Sequence, residues 1–347
     1  MLSAPRFLVY LFFSWLWLQE LHAAISIDTV LVDHPTSNVP YDYRIGTYEV
    51  TNSQYAAFLN AVATVDPHGL YHTAMASPTI VAQGGGIQRS GSSGSYRYTV
   101  TPGGGNYPVR IVSFYDAARF CNWLTNGQPV GPPDLNTTES GMYFLGGVSQ
   151  PPNNQVVRLM NFNSGGNGVA LPTRYEWYKA GHYDPSRGPL HQDYWLYATQ
   201  SDEAPLAIGP NDTFANSANY DNGVGGLTPV GSYELAASYF GTYDQSGNVW
   251  EIFESFWDNG SGSNIRREGG GSYGAAAVHI STNYASSSFP YQEYTDMGFR
   301  IVSTAPIPEP GLAGYASAFA CMLAFRRRRR ASPKQPALPS GISGLES

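Results

Sequence analysis

Three segments carry apolar residues at the spacing of an amphipathic helix, and each begins with a polar capping residue. The predicted inward faces are Tyr55, Phe58, Leu59 and Val62 in the first, Ala117, Phe120, Cys121 and Leu124 in the second, and Trp177 and Ala180 in the third. The predicted N-caps are Thr51 or Asn52, Ser113, and Thr173, which forms a capping box with Glu176. Gly181 is expected to end the third helix.

Short strands are predicted between and after these helices. Residues 43–50 and 107–112 lead into the first two helices, and Gly298–Val302 reads as a closing strand. The intervening stretches 67–106, 126–167 and 182–242 are rich in Gly, Pro, Ser and Asn and show no sustained periodicity. The pattern therefore predicts a body of short helices and short strands joined by long loops.

The two ends of the chain differ in kind from this body. An apolar run at 7–19 follows Arg6 and precedes small residues, which predicts a signal peptide over 1–23, with an uncleaved anchor as the alternative. Residues 304–330 combine Pro-Glu-Pro, an apolar stretch at 312–325 and the five arginines Arg326–Arg330. Those 14 apolar residues are marginal for a bilayer of about 30 Å, so we expect transient membrane association. A disordered tail is predicted at 331–347.

Composition narrows the class of function. Only 13% of the 347 residues are charged and 14% are aromatic, with 38 Gly and 25 Pro, which is typical of a loop-rich exported globule. Residues 24–304 contain 12 Lys+Arg against 23 Asp+Glu, an acidic balance that argues against nucleic acid and anionic membranes as partners. Cys121 is the one cysteine of the body, so burial, hydrogen bonds or a metal must hold the fold.

The segment from Asp244 to Glu251 carries the most suggestive chemistry. It places two carboxylates on either side of a glycine-containing turn, an arrangement that can direct oxygen atoms onto a hard cation such as calcium. The alternative is a hairpin corner with a core Trp250 and two solvated acids. Residues 219–223 form a second oxygen-rich turn.

Ordered motifs along the chain resemble the formylglycine-generating, or sulfatase-modifying factor, family. They are Tyr48–Asn52, Pro108–Val109 with Val112–Ser113 and Asp116–Ala117, Leu171–Thr173 with Glu176–Trp177, Gly247–Glu251, Gly270–Tyr273 and Gly298–Arg300. The resemblance covers residues 26–303 and implies an α+β domain that is a loop-rich variant of the C-type lectin fold, with short helices around small antiparallel sheets. It also implies calcium bound by the side chains of Asp244 and Glu251 and the carbonyls of Gly247 and Val249, with Asn219 and Tyr220 in a second calcium site.

The C-terminal segment separately resembles a PEP-CTERM sorting signal. That resemblance implies an exosortase as the processing partner and an exported protein at the cell surface or in the extracellular matrix, anchored in the membrane before its tail is processed.

The sequence departs from the family where the family's chemistry lies. Catalytic members oxidise a substrate cysteine through a copper-binding pair of cysteines, and the matching positions here are Ala277 and Thr282. No cysteine occurs between 122 and 320, so no copper site is expected. The arginines expected before the Gly-Gly-Ser and Leu-Pro-Thr motifs are replaced by Gly269 and Ala170.

The favoured function is therefore a non-catalytic binding or surface module stabilised by calcium. The alternatives are a formylglycine-generating oxidase, an iron-dependent oxidase, or a purely structural matrix protein. A binding module should have a groove beside residues 274–290 lined by exposed Tyr284, Tyr291 and Tyr294, unless these rings only pack. A surface polymer, glycan or protein is the expected ligand.

Overall fold

The computed structural model describes residues 24–188, 193–211, 213–257 and 265–307. The helices are α1 (Asn52–Val62), α2 (Pro78–Ala82), α3 (Phe114–Thr125) and α4 (Arg174–His182), with single 3₁₀ turns at Thr73–Ala76, Asn153–Gln155 and Phe162–Ser164. The strands are β1 (Thr29–Val32), β2 (Tyr43–Gly46), β3 (Ile87–Ser90), β4 (Arg97–Val100), β5 (Val169–Ala170), β6 (Leu206–Ala207), β7 (Ser217–Ala218), β8 (Trp250–Trp257), β9 (Ile265–Gly269), β10 (Ser286–Ser288), β11 (Met297–Gly298) and β12 (Val302–Ser303).

The strands form small sheets in which neighbouring strands are often distant in sequence. One sheet has the order β1-β2-β12-β5, and a second has the order β10-β9-β8-β11. Strands β8, β9 and β10 pair antiparallel, whereas β11 lies parallel to β8, with Gly298 opposite Glu251. Two further two-stranded pairs are the hairpin β3-β4 and the parallel pair β6-β7. The predicted mixed, loop-rich α+β class is confirmed.

The three predicted helix starts are confirmed, because each is encoded by contacts within one turn. Thr51, Ser113 and Thr173 each accept a hydrogen bond from the backbone N–H three residues on, and each helix has a reciprocal capping box. The end of α4 was predicted wrongly. The helix continues through Gly181 to His182, and a Cβ at position 181 would lie 2.9 Å from the Gln245 side chain. The glycine permits close packing there and does not end the helix.

The main core is built around α1 and α3 and the segment that joins β11 to β12. Phe120 on α3 lies 5.4 Å from the rings of both Phe58 and Phe299. The prediction of a single inward face for α3 was too narrow, because every residue from Phe114 to Leu124 is buried. Its buried Arg119 forms a two-pronged ion pair with Glu139, through bonds of 2.7 and 2.9 Å.

The predicted closing strand is interrupted. Residues 297–298 pair with β8 and residues 302–303 pair with β2 and β5, so the chain crosses between two sheets at residues 299–301. Ile111, within the predicted strand 107–112, has a φ of +62°, and that segment contributes one isolated bridge, Thr51 to Pro108.

The described residues belong to a unit that ends at Ile307. None of the helices in this part of the chain combines the length and apolar character that a membrane span needs. The predicted signal peptide at 1–23 and apolar segment at 312–325 lie outside the described residues, as does the tail at 331–347.

Candidate functional site

A buried ion pair joins the two sequence motifs that end the domain. Glu251 is the second residue of β8, and Arg300 follows β11, the strand that pairs with β8. The guanidinium of Arg300 donates to both carboxylate oxygens of Glu251 at 2.6 and 2.7 Å, and Trp177 Nε1 donates to the same carboxylate at 2.8 Å. Both charged residues are fully buried, and the pairing with Glu251 raises the pKa of Arg300.

Arg300 also fixes distant loops. Its Nη1 donates to Gly46 O at 3.0 Å, and its Nη2 donates to Tyr243 O at 2.9 Å. One guanidinium therefore links β2, the turn before β8 and β8 itself. The expectation that Glu251 ligates calcium stays a prediction, and an ion at that position would share the carboxylate with three N–H donors.

One small cavity lies between residues that were predicted for the two calcium sites. Asp244 and Asn219 both line it, together with Asn248, and its volume is about 10 Å³, room for one water-sized atom. The Oδ1 atom of Asn219 is buried and has no hydrogen-bond partner among the described residues. Its Nδ2 donates to Asn248 Oδ1 at 3.2 Å.

The electrostatics of this region favour a cation or a proton. Burial raises the pKa of Asp244 to about 6, with Glu251 adding to the shift and the Gly231 N–H at 2.6 Å opposing it. Burial, with Asp244 as the next cause, raises the pKa of Glu49 well above its ordinary value, although Asn248 Nδ2 donates to it at 3.0 Å. Carboxylate and amide oxygens are the donors that calcium prefers, so this part of the predicted set fits the ion.

The remaining predicted ligands are Gly247 and Val249, expected to bind through their backbone carbonyls, and Tyr220, expected in the second calcium site. Gly247 lies against Asn219, where an added Cβ would stand 2.2 Å from the Asn219 carbonyl oxygen. Tyr220 packs its ring in a small apolar cluster with Tyr197, and Val249 is completely buried. Gly247, predicted for the first calcium site, therefore lies in contact with Asn219, predicted for the second.

An open groove of about 370 Å³ lies beside Trp250, the first residue of β8. Its lining residues are Asn222, Trp250, Ser272, Tyr273, Gly274, Ala275, His279, Tyr284, Thr295 and Asp296. The ring centroid of Trp250 lies 6.0 Å from that of Tyr284 and 6.2 Å from that of His279. Tyr284 and His279 are 4.4 Å apart in an edge-to-face arrangement. Together the three rings form an aromatic wall.

The ends of β8 and β11 fix this wall beside a carboxylate. The N–H of Trp250 donates to the backbone carbonyl of Asp296 at 2.9 Å, and Ser272 Oγ donates to Asp296 Oδ2 at 2.8 Å. Tyr178 on α4 donates its hydroxyl to the backbone carbonyl of Tyr284 at 3.1 Å. Two elements of regular secondary structure, β8 and α4, therefore hold the aromatic wall in place.

The alternative interpretation, a core Trp250 with two solvated acids, holds only in part. Trp250 is partly buried: it packs against the main core and also lines the groove, whereas Glu251 is fully buried and not solvated. Successive side chains of a strand point to opposite faces, so a buried Glu251 directs Trp250 the other way. Tyr284 lies in the groove, whereas Tyr291 and Tyr294 are exposed outside its lining, and Tyr291 stacks on Phe289 at 5.5 Å.

Sequence reasoning missed His279 and Asp296. Neither belongs to a periodic element, and only the fold brings them to Trp250.

The positions matched to the family's cysteine pair lie close to the groove. Ala277 packs against the small apolar cluster that contains Tyr220 and Ile280, and the N–H of Thr282 donates to Leu196 O at 3.0 Å. Cys121 is buried elsewhere, in the main core, where burial raises the pKa of its thiol. Within the described ranges, no group of three or more His, Cys, Asp or Glu side chains is arranged to hold a metal ion.

Comparison with known proteins identifies relatives for most of the chain. A family model described as "Sulfatase-modifying factor enzyme 1-like domain" matches residues 26–305. Hercynine oxygenase of Mycobacterium tuberculosis (strain ATCC 25618 / H37Rv) is 28% identical over 153 residues, which are 39% of this chain and 32% of that protein. The chain thus spans about a third of that oxygenase. Chaperone protein LppX of Paenibacillus barcinonensis is 27% identical over 259 residues, covering 66% of this chain and 72% of that protein.

Solved structures with a similar chain course include CarF, at 21% identity and a TM-score of 0.49, covering 80% of this chain and 98% of that chain. Treponema denticola variable protein 1 matches at 20% identity and a TM-score of 0.45, covering 82% and 94% of the two chains. PvdO from Pseudomonas aeruginosa matches at 15% and 0.41, covering 81% and 93%.

Proposed function

We propose that this chain, which belongs to the sulfatase-modifying factor enzyme 1-like domain family, is a non-catalytic module. In this proposal it binds a glycan in the groove beside Trp250. The aromatic wall carries this proposal. Trp250 and Tyr284 offer ring faces of the kind that pack on the apolar face of a sugar ring. Asn222 and Asp296 add polar side chains to the lining that can fix orientation, and the buried Ser272 hydroxyl holds Asp296 in place.

The size and openness of the groove also support a polymeric ligand. A volume of about 370 Å³ is at the lower end of the range for ligand sites and accommodates a short stretch of an extended chain. Since its walls come from the ends of β8 and β11 and from the 272–284 segment, much of the groove is formed before a ligand arrives.

The non-catalytic part of the proposal rests on side-chain chemistry. The two positions matched to the family's copper-binding cysteines are Ala277 and Thr282, and neither side chain supplies a thiolate. Cys121 does not replace them, because it is fully buried in the main core.

An oxygenase is the second candidate, favoured by the match to hercynine oxygenase. Incubating the protein with copper or ferrous iron, oxygen and a peptide carrying the sulfatase Cys-x-Pro-x-Arg sequence, followed by mass measurement, tests the formylglycine branch. The proposal predicts an unchanged peptide mass, and conversion of the cysteine would establish the oxidase.

Three finer features belong to the same proposal. The fold would be the family's variant of the C-type lectin fold. Calcium would bind near Asp244 and Asn219, where an unpartnered amide oxygen and a carboxylate share one cavity, and would stabilise a body without disulfides. The signal peptide at 1–23 and the PEP-CTERM segment at 304–330 would export the protein to the cell surface or matrix, with exosortase processing.

Titration calorimetry against a panel of soluble oligosaccharides tests the binding function. We expect at least one neutral or amino-sugar oligomer to bind, and the Trp250→Ala substitution to weaken binding about 30-fold, in line with an aromatic anchor worth about 2 kcal/mol. The matched control is Tyr175→Ala, an exposed ring on α4 outside the groove lining, which should bind as the wild type does. Binding that survives Trp250→Ala unchanged, or binding of no glycan at all, contradicts the proposal.

A further inference from the structure

We infer that the groove selects glycans that carry free, protonated amino groups, so that the ligand class is an amino-sugar polymer and not a neutral or acidic one. This inference rests on the proposed glycan-binding function and adds the charge of the ligand to it. It is carried by the placement of one carboxylate at the edge of the aromatic wall, and by the charges around that carboxylate.

The lining of the groove contains one carboxylate, that of Asp296, and neither lysine nor arginine. Asp296 immediately precedes β11 and is half-buried, and its backbone carbonyl holds the N–H of Trp250 at 2.9 Å. The carboxylate and the indole therefore belong to two residues that are joined by a backbone hydrogen bond where β8 and β11 begin. An ammonium group is attracted both to a carboxylate and to the face of an aromatic ring, and this arrangement offers the two together.

The charges behind the lining leave the groove surface acidic. Arg110 is a cation behind the lining; it is buried, donates to the backbone carbonyls of Thr295 and Ile80, and interacts with Tyr273 and Asp296 of the lining. Burial lowers its pKa. Glu268 lies on the same side as a second buried carboxyl, with its pKa raised by burial and, to a smaller extent, by Asp296. Asp296 is itself a lining residue, whereas Arg110 is not and acts on Asp296 from behind the lining.

The basic side chain in the groove lining is that of His279. His279 Nδ1 accepts a hydrogen bond from the Ala276 N–H at 3.3 Å, which places the proton of a neutral ring on Nε2. The loop that forms one rim carries Asp221, whose N–H donates to Ala275 O at 2.9 Å. An acidic sugar would meet the Asp296 carboxylate, in a body that carries 12 basic against 23 acidic residues over 24–304.

Calorimetry with a matched ligand series tests the charge preference. The series is one β-linked glucosamine hexamer in three forms: N-acetylated, with free amines at pH 6, and N-trimethylated. We expect the two cationic forms to bind wild-type protein about 10-fold more tightly than the acetylated form, as one favourable charge contact provides. Because this comparison uses only the wild type, it does not depend on the folding of a variant.

Substitutions then locate the preference. Asp296→Asn should bring the three affinities within about twofold of one another, whereas Asp296→Glu should retain the preference for the cationic forms. The control is Asp33→Asn, which removes a half-exposed acid outside the groove lining and should leave the preference unchanged. Equal affinity of wild-type protein for all three forms, or tighter binding of an acidic oligomer, overturns this inference and leaves glycan binding intact. If none of the forms binds, or if Trp250→Ala binds each as the wild type does, the proposed function itself fails for this ligand class.

Discussion

Removing the charge of Glu251 is the sharpest test of how this domain is held together. Glu251→Gln keeps the size of the side chain but leaves Arg300 without its principal counter-ion in a site where both residues are completely buried. One carboxylate oxygen that now accepts a hydrogen bond from Arg300 becomes an amide NH₂, which faces a donor. The ion pair and one hydrogen bond are therefore lost together.

The size of the effect follows from what remains around Arg300. Breaking a buried ion pair by removing one partner costs about 3–5 kcal/mol. Glu49 and Asp244 also raise the pKa of Arg300, so some negative charge persists, and we expect a loss near the lower limit, about 3 kcal/mol. For a domain of this size, each kcal/mol lowers the melting temperature by about 2–4 °C, which gives a shift of about 6–12 °C.

Thermal unfolding and urea titration of the purified variant measure this loss. Asp33→Asn is the control, since the Asp33–His34 contact at 3.5 Å joins two half-exposed side chains, and it should change the free energy of unfolding by less than about 0.5 kcal/mol. Arg300→Met should cost more than Glu251→Gln, because it also removes the donor to Gly46 O and Tyr243 O. A Glu251→Gln melting temperature within 2 °C of the wild type would refute this reasoning.

Other predictions concern pH, backbone and metal. Burial lowers the pKa of His182 to about 4, so the stability that its neutral form supports is complete above pH about 6.5 and is lost as the pH falls through 4. The difference in free energy of unfolding between wild type and His182→Gln, from urea titrations at pH 7 and 4.5, should shrink by at most about 3 kcal/mol, and a constant difference contradicts this. The raised pKa of Asp244, which acts in the opposite direction, cancels in that comparison. Gly247→Ala should destabilise the fold by several kcal/mol, because φ is +116° and the new Cβ would lie 2.2 Å from Asn219 O, whereas Gly209→Ala meets nothing within 4 Å and should melt like the wild type. Excess EGTA should lower the melting temperature through loss of calcium, and Asp244→Asn should abolish that response; an unchanged melt in chelator argues against the ion.

Local signals in the sequence accounted for the helices and for little of their surroundings. The capping boxes at Thr51, Ser113 and Thr173 depend on residues three apart, so spacing alone located the helix starts. Gly181 misled because a glycine after an apolar run usually ends a helix, whereas here the fold brings the Gln245 side chain against it. That contact joins segments 64 residues apart, which periodicity cannot reveal.

The candidate site was predictable only in part for the same reason. The sequence singled out the motif Asp244–Glu251, but the pairing of Glu251 with Arg300 depends on the parallel contact of β8 with β11, which spacing does not reveal. Strand alternation was the available signal for Trp250, since a buried Glu251 requires its neighbour to face away. Asp296 and His279 gave no such signal, because each lies in a loop whose course is set by distant contacts.

The central claim is that a glycan binds in the groove beside Trp250, and hydrogen–deuterium exchange with and without a bound amino-sugar hexamer tests it most directly. We predict slower amide exchange in peptides covering 272–275, 279–284 and 294–297, the segments that form the groove. A second groove of similar volume, about 330 Å³, lies between the β3-β4 hairpin and Val130 and serves as the internal comparison. Protection confined to residues 94–97 and 130–132, with unchanged exchange around Trp250, would contradict the account.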